Sequence, residues 1–291
     1  MTAVLRSASP EMCDEAALVL SALEIPFERA REGRVHVLIV ADADAARASA
    51  ELVDYLREPP LVEAEPRRVA RGRAWPGAVV YVALLGALHW AATYGAFGRA
   101  WYAAGRLDGE RFREGEWWRA VTSLGLHAGA GHLVSNVVFG ALFGALLAEA
   151  CGAGLAWLLF LAAGVLGNVA DVVLRPEPHT AVGASTAIFG AIGALGAHEW
   201  VRGFHGARDV LRRAAPLVGG VILLGYLGGG GGSAENTDVL AHVTGFVAGT
   251  ALGLVAAAWR PLRTAGTRLQ ALCAAAALVV FAAGWCVALA G

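Results

Sequence analysis

Lysine is missing altogether. All 23 basic residues of the 291-residue chain are arginine, set against 24 acidic residues for a formal net charge of −1. With abundant alanine and glycine, this is the imprint of GC-rich bacterial coding rather than of chemistry. The arginines form no basic stripe that would track a phosphate backbone, so no nucleic acid partner is expected. Charge of either sign is also scarce. Only 16% of residues are charged and 57% are hydrophobic, with a mean hydropathy of +0.56. Soluble domains carry about 25% charged residues, so most of this chain cannot be a water-soluble domain. Cysteine is limited to Cys13, Cys151, Cys273 and Cys286, none in a Cys-x-x-Cys or Cys/His spacing. That removes a zinc site and a disulfide framework from consideration and leaves small apolar packing residues. The first 20 residues include acidic side chains and lack an apolar core, so no cleavable signal peptide is expected.

What is present is apolar and segmented. Seven runs, at residues 77–95, 131–150, 154–173, 185–200, 214–227, 239–258 and 269–289, approach the ~20 residues that carry a helix across ~30 Å of hydrocarbon. The fourth and fifth are short for a full span. In a membrane, short or glycine-interrupted helices are shielded by protein or line a water-filled cavity. Residues 1–73 read differently: helical spacing over 13–23, a compact β-branched run VHVLIV at 35–40, helical spacing again over 43–56, then Pro59-Pro60 and an arginine cluster. The expected architecture is an all-α polytopic membrane protein with a small N-terminal α+β soluble domain. Residues 1–73 form that domain and its linker, 74–258 a six-helix membrane core, and 259–291 an additional C-terminal transmembrane helix.

Arginine placement gives an orientation. If Arg67, Arg68, Arg71 and Arg73 are cytoplasmic, seven spans put Arg202, Arg208, Arg212 and Arg213 on the same side, followed by Arg260, Arg263 and Arg268. The N-terminus is then cytoplasmic and the C-terminus outside, in a bacterial cell membrane. The long first outer loop, 97–119, carries Trp101, Tyr102, Phe112, Trp117 and Trp118, aromatics suited to the headgroup zone.

Polar and ionisable groups inside apolar runs are costly and point to function. His132, Asn136, Ser185 and His242 all fall near the outer ends of the second, fourth and sixth spans, at one depth. Ser185 opens a helix after Gly183-Ala184, where unpaired N–H groups and the positive dipole end favour an oxyanion. A lone membrane serine is ordinarily just a helix cap. His242 changes that reading, because it shares a face with Gly245, Gly249 and Gly253, which let a neighbouring helix approach closely. A serine with a histidine in reach is a minimal activated nucleophile, the imidazole serving as general base and then acid. No carboxylate lies at that depth, so the expected arrangement is a dyad, with Phe189, one turn beyond the serine, as the ring's support. His132 and Asn136, spaced i, i+4, offer donors to a developing oxyanion. Metal binding by His127, His132 and Asn136 is disfavoured, since asparagine is a poor zinc ligand and no carboxylate or cysteine joins them. No cofactor is implied.

The segments WWRAVTS, HAGAGHLVSN, GASTAIFG and AHVTGFVAG resemble, in order and spacing, the rhomboid intramembrane serine proteases, over roughly residues 117–253. The resemblance implies Ser185 as nucleophile, His242 as base, and an oxyanion hole of His132, Asn136 and the Ser185 N–H, with Phe189 packing on the base. It implies a structural motif at Glu116, Trp118 and Arg119. The first loop and the fifth helix, with its glycine run at 228–232 as a mobile cap, would border substrate access. The implied substrates are transmembrane segments of other proteins, cleaved within the lipid bilayer. Two departures stand out. Thr186 occupies a position where the family often has glycine, and the seventh run resembles the six-plus-one variants. A non-catalytic rhomboid-like binder of membrane proteins is the competing reading, against which both Ser185 and His242 are retained. A transporter would call for paired broken helices with membrane carboxylates, whereas Glu149 and Asp171 sit near span ends.

Overall fold

A computed structural model describes residues 1–33, 35–57, 74–175, 177–201, 219, 238–263 and 265–290. The chain divides into two compact units, Met1–Arg68 and Val69–Gly291.

The first unit is α+β. Strands β1 (Thr2–Ser7), β2 (Phe27–Glu32) and β3 (Val35–Val40) form an antiparallel sheet of order β1-β3-β2, so the apolar VHVLIV strand lies in the centre. Helices α1 (Pro10–Ala22) and α2 (Ala45–Arg57) complete it. Ser9 caps α1 by accepting from Met12 N–H at 3.3 Å, and Pro10 opens the helix. Cys13, Leu20, Leu38, Val40, Ala48 and Leu52 close the core between sheet and helices. Strand β2, sequence FERARE, has no apolar alternation, and only pairing with β3 defines it.

The second unit is a bundle of long helices: α3 (Trp75–Tyr94), α7 (Ala130–Cys151), α8 (Ala153–Leu174), α9 (Ser185–Val201), α10 (Val239–Ala258) and α12 (Thr267–Ala290). Short pieces α4 (Trp101–Gly105), β4 (Leu107–Asp108), α5 (Gly109–Arg113) and α6 (Arg119–Thr122) make up the first loop. Strand β5 (Thr180–Ala181) pairs with β4, and α11 (Arg260–Arg263) links the last two long helices. Among the described residues five helices, all but α9, are long and apolar enough to span a membrane, giving a multi-pass membrane fold. The fifth apolar run expected from sequence, 214–227, lies outside the described residues.

Helix α9 explains its own shortness. Its 17 residues rise about 26 Å, and Thr186 through His198 are all buried, so protein rather than lipid surrounds it. Backbone contact encloses it. A Cβ on Gly245, Gly249 or Gly253 of α10 would meet the carbonyl of Thr186, Gly190 or Ala194 respectively. The two stripes run in step, four residues at a time. On α8, Gly164 faces Ala187 and Gly167 faces Thr186. Thr244 Oγ1 donates to Gly167 O at 2.9 Å, tying α10 to α8. Helix α12 is joined by Gln270, whose amide donates to Cys151 O and accepts from Leu155 N–H, both at 2.9 Å. It thereby satisfies a carbonyl at the end of α7 and an N–H at the start of α8.

Gly249→Leu should therefore force α9 and α10 apart, costing at least about 1–3 kcal/mol. Gly86→Leu, where a Cβ meets nothing within 4 Å, should be neutral. Thermal unfolding of both variants in detergent checks the pair. Equal midpoints would mean that the glycine contact is not limiting.

Candidate active site

The turn before α9 is pinned from below. Gly183 N–H donates to Ser123 O at 2.9 Å. Asn168 of α8 donates through Nδ2 to Ala120 O at 2.9 Å and to Ser123 Oγ at 3.1 Å. Gly183 has φ +127°, where a side chain is strained, and a Cβ there would lie 2.8 Å from the His132 ring and 3.8 Å from Ser185 Oγ. Glycine thus lets His132 and Ser185 flank one point.

His242 Nε2 and Ser185 Oγ are 2.9 Å apart. The His242 ring stacks on Phe189, with centroids 4.5 Å apart and planes at 27°. Its Nδ1 is buried and has no hydrogen-bond partner among the described residues. Among the described residues the serine and the aromatic face, and no carboxylate, hold the ring. Nε2 can accept the Ser185 proton, which is what a base at a nucleophile must do.

His132 Nδ1 accepts a long hydrogen bond from Ala128 N–H, 3.5 Å, and the tautomer assigned on that contact has the proton on Nε2, on the Gly183 side. Asn136 Nδ2 gives one N–H to His132 O at 2.8 Å, and its Oδ1 is buried without a partner among the described residues. Tyr81 of α3 donates to Asn136 O at 2.8 Å, fixing α7 at that level. The structure thus brings Ser185, His242, Phe189 and His132 together, with Asn136 one turn further along α7.

Thr186 stands where the resemblance implied glycine, and the neighbours compensate. Its methyl lies against Gly167 of α8 and Gly245 of α10, each a position where a Cβ would collide with it. The first loop is braced by Arg119, only 2% exposed. Arg119 pairs with Glu116 at 2.5 Å and donates to Ala103 O at 3.0 Å and Arg106 O at 2.9 Å. Thr122 Oγ1 adds a bond to Gly105 O at 2.7 Å.

Sequence reasoning passed over one cluster. Asp171, Arg175, His179 and Asp238 converge at the Ser185 end of the bundle. Ligand atoms of Asp171, His179 and Asp238 lie within 4.8 Å of one another, close enough for a metal ion, but the Arg175 guanidinium already bridges both carboxylates. The available signal was Asp171 and Arg175 at i, i+4, an ion-pair spacing.

A serine hydrogen-bonded to a ring-stacked histidine inside a multi-pass helical bundle defines the class: a membrane-embedded fold with a serine–histidine pair. Residues 114–259, half of the chain, match the Rhomboid domain family, and the chain belongs to that family. It is similar to the rhomboid protease GluP of Bacillus subtilis, 32% identical over 183 residues, covering 63% of this chain and 34% of GluP. It is also similar to the putative rhomboid protease YdcA of the same organism, 29% identical over 141 residues, 48% of this chain and 68% of YdcA. Rhomboid-like protease 3 of Toxoplasma gondii is 31% identical over 138 residues, 46% of this chain and 50% of that protein. The chain thus spans about a third of GluP and about half of the Toxoplasma protein.

His127, in the loop before α7, packs edge-on to His132 with ring centroids 5.2 Å apart. Burial, and then the neighbouring His132 and His89, push its pKa down from 6.5 to about 3. The folded chain therefore keeps His127 neutral where the unfolded chain protonates it. Its contribution is complete above about pH 6.5 and declines as pH falls from there toward 3. Melting of His127→Asn in detergent should show a smaller midpoint loss between pH 7 and 5 than wild type. An unchanged loss would contradict a neutral buried His127.

Proposed function

We propose that the chain is an intramembrane serine endopeptidase that hydrolyses peptide bonds in or near transmembrane segments of other membrane proteins, with Ser185 as nucleophile and His242 as general base. The observation that carries this reading is the 2.9 Å contact between Ser185 Oγ and His242 Nε2 at the start of a helix buried from Thr186 to His198. His242 takes the Ser185 proton as Oγ attacks the scissile carbonyl. The carbonyl oxygen becomes an oxyanion facing the Ser185 N–H at the α9 N-terminus, with His132 Nε2–H and the Asn136 amide as further donors. His242 then protonates the leaving amine, giving an acyl-enzyme on Ser185. Water attacks the ester, again deprotonated by His242, and releases the acid product and the free serine.

A peptide bond in a helix hides its carbonyl in the i→i−4 ladder, so the substrate segment must unwind locally. Small or helix-breaking residues near the outer membrane face are the preferred sequences. The working orientation has a cytoplasmic N-terminus and an outside C-terminus in the cell membrane, so water reaches Ser185 from the outer side. The family membership and the protease names of the relatives support the reaction class.

The test uses purified protein in liposomes with a fluorogenic transmembrane-segment substrate. Ser185→Ala and His242→Ala should each lower kcat by at least about 100-fold while melting as wild type does, and a fluorophosphonate should label Ser185. Cleavage that survives Ser185→Ala would refute the mechanism. Substrate binding without cleavage or labelling by wild type would favour a non-catalytic binder.

A further inference from the structure

Asp171 is fully buried in α8, 0% exposed, at the level where the bundle meets the first loop. A buried carboxylate is costly unless paired and hydrogen-bonded, and Asp171 has one hydrogen-bond partner and one ion-pair partner, which lead in different directions. His179 Nε2 lies 2.8 Å from its Oδ2. His179 directly precedes β5, the strand that runs into Gly183 and Ser185, and its own carbonyl accepts from Gly109 N–H at 3.1 Å. Arg175, one turn after Asp171, lies 3.5 Å from Oδ1 and reaches across to Asp238 Oδ1 at 2.6 Å. Asp238 caps α10, accepting from Ala241 N–H at 3.1 Å. One turn further along the same helix is His242, whose backbone N–H bonds Asp238 O at 3.2 Å.

We propose that Asp171, Arg175, His179 and Asp238 form one positioning network that sets the spacing of Ser185 and His242. The His179 arm fixes the strand leading to the serine. The Arg175–Asp238 arm fixes the first turn of the helix carrying the histidine, and both arms are anchored on one buried carboxylate. Further along α10 the next tie to α8 is Thr244 on Gly167 O, on the far side of His242 from Asp238, so the two ties bracket the base. Arg113 of the first loop extends the network by donating to Val172 O at 2.7 Å and Arg175 O at 2.5 Å, holding the end of α8 on which Arg175 sits. The arrangement supplies by leverage what a dyad lacks by direct contact, since no carboxylate among the described residues touches His242 Nδ1. The proposal rests on the serine–histidine reading of the site, and none of the four residues touches the reacting atoms.

Asp238→Asn separates the two roles of that residue, because asparagine caps a helix as well as aspartate does but cannot hold the guanidinium as an ion pair. Asp238→Asn and Arg175→Gln should each lower kcat and the rate of fluorophosphonate labelling at Ser185 by about 10- to 100-fold, the cost of slight misplacement. KM should stay within about threefold and the melting temperature near wild type. Arg175→Lys should recover part of the rate. The double variant should be no slower than the worse single one, because both remove one interaction. Wild-type rates in both single variants, or losses that multiply in the double, would overturn the proposal. Should Arg175→Gln fail to fold, Asp238→Asn alone decides. The ¹⁵N resonances of His242, assigned with His242→Ala, read the Ser185–His242 hydrogen bond without any substrate. That signal should change in Asp238→Asn, and an unchanged signal overturns the network even if wild type cleaves. A wild type that neither cleaves nor labels, but whose His242 signal moves in Asp238→Asn, sinks the protease reading and keeps the network.

Discussion

The glycines at 245, 249 and 253 bring the α10 backbone against α9 at Thr186, Gly190 and Ala194, and the remaining features of the site follow from that contact. In hydrocarbon there is no hydrophobic drive to press helices together, since lipid tails are as apolar as leucine. Association rests on close packing and on interhelical hydrogen bonds. Side chains larger than hydrogen along this seam would hold the axes apart, and the Ser185–His242 distance of 2.9 Å would open with them. The seam also supplies the room that Thr186 takes between Gly167 and Gly245. A residue that looks anomalous on α9 alone is accommodated by two other helices.

The bundle settles its polar groups unevenly. Away from the dyad, Arg119, Thr122, Asn168, Thr244 and Gln270 each bond to backbone of a neighbouring element. Next to the dyad, His242 Nδ1 and Asn136 Oδ1 are buried with no partner among the described residues. Unpaired buried groups are rare in folded proteins and call for a reason. Under the proposed reading, those beside the dyad are groups that a bound peptide could meet. Among the described residues, buried atoms without a hydrogen-bond partner also occur away from the dyad, at Arg106 Nε, Trp118 Nε1, Trp157 Nε1, Asp171 Oδ1 and Trp285 Nε1, so those beside Ser185 belong to a wider set.

Ser185, His242, Phe189 and His132 were legible in the sequence because each signal is local or nearly so. A Gly-Ala turn opens the serine helix, Phe189 lies four residues on, a glycine stripe shares the histidine face, and counting spans aligns their depths. The α+β character of the first unit was legible in VHVLIV and in the two helical spacings. Strand β2 was not, since FERARE lacks alternation and owes its conformation to its neighbour. The Asp171 network was illegible for a different reason. Charges near span ends ordinarily face water, and nothing in the chain order shows that Arg175 and Asp238, 63 residues apart, meet at 2.6 Å. Gln270, reaching Cys151 across 119 residues, was hidden in the same way.

Among the described residues no carboxylate joins Ser185 and His242 as a third member, and this has a physical basis in where the dyad sits. In a water-soluble enzyme an aspartate behind the imidazole can draw on solvent and surrounding amides to stay ionised. At membrane depth such a carboxylate would need its own full set of partners, or it would take up a proton and cease to help. An aromatic ring carries no such requirement. Phe189 holds the imidazole plane through stacking alone, while the charges that orient the helix stand one turn away, at Asp238 and Arg175, where the bundle meets its polar loops. Orientation is thus divided between an apolar contact at depth and an ion pair near the surface. Under the serine–histidine reading, alignment of the base is thereby shared between Phe189 at depth and the Asp238–Arg175 pair one turn away.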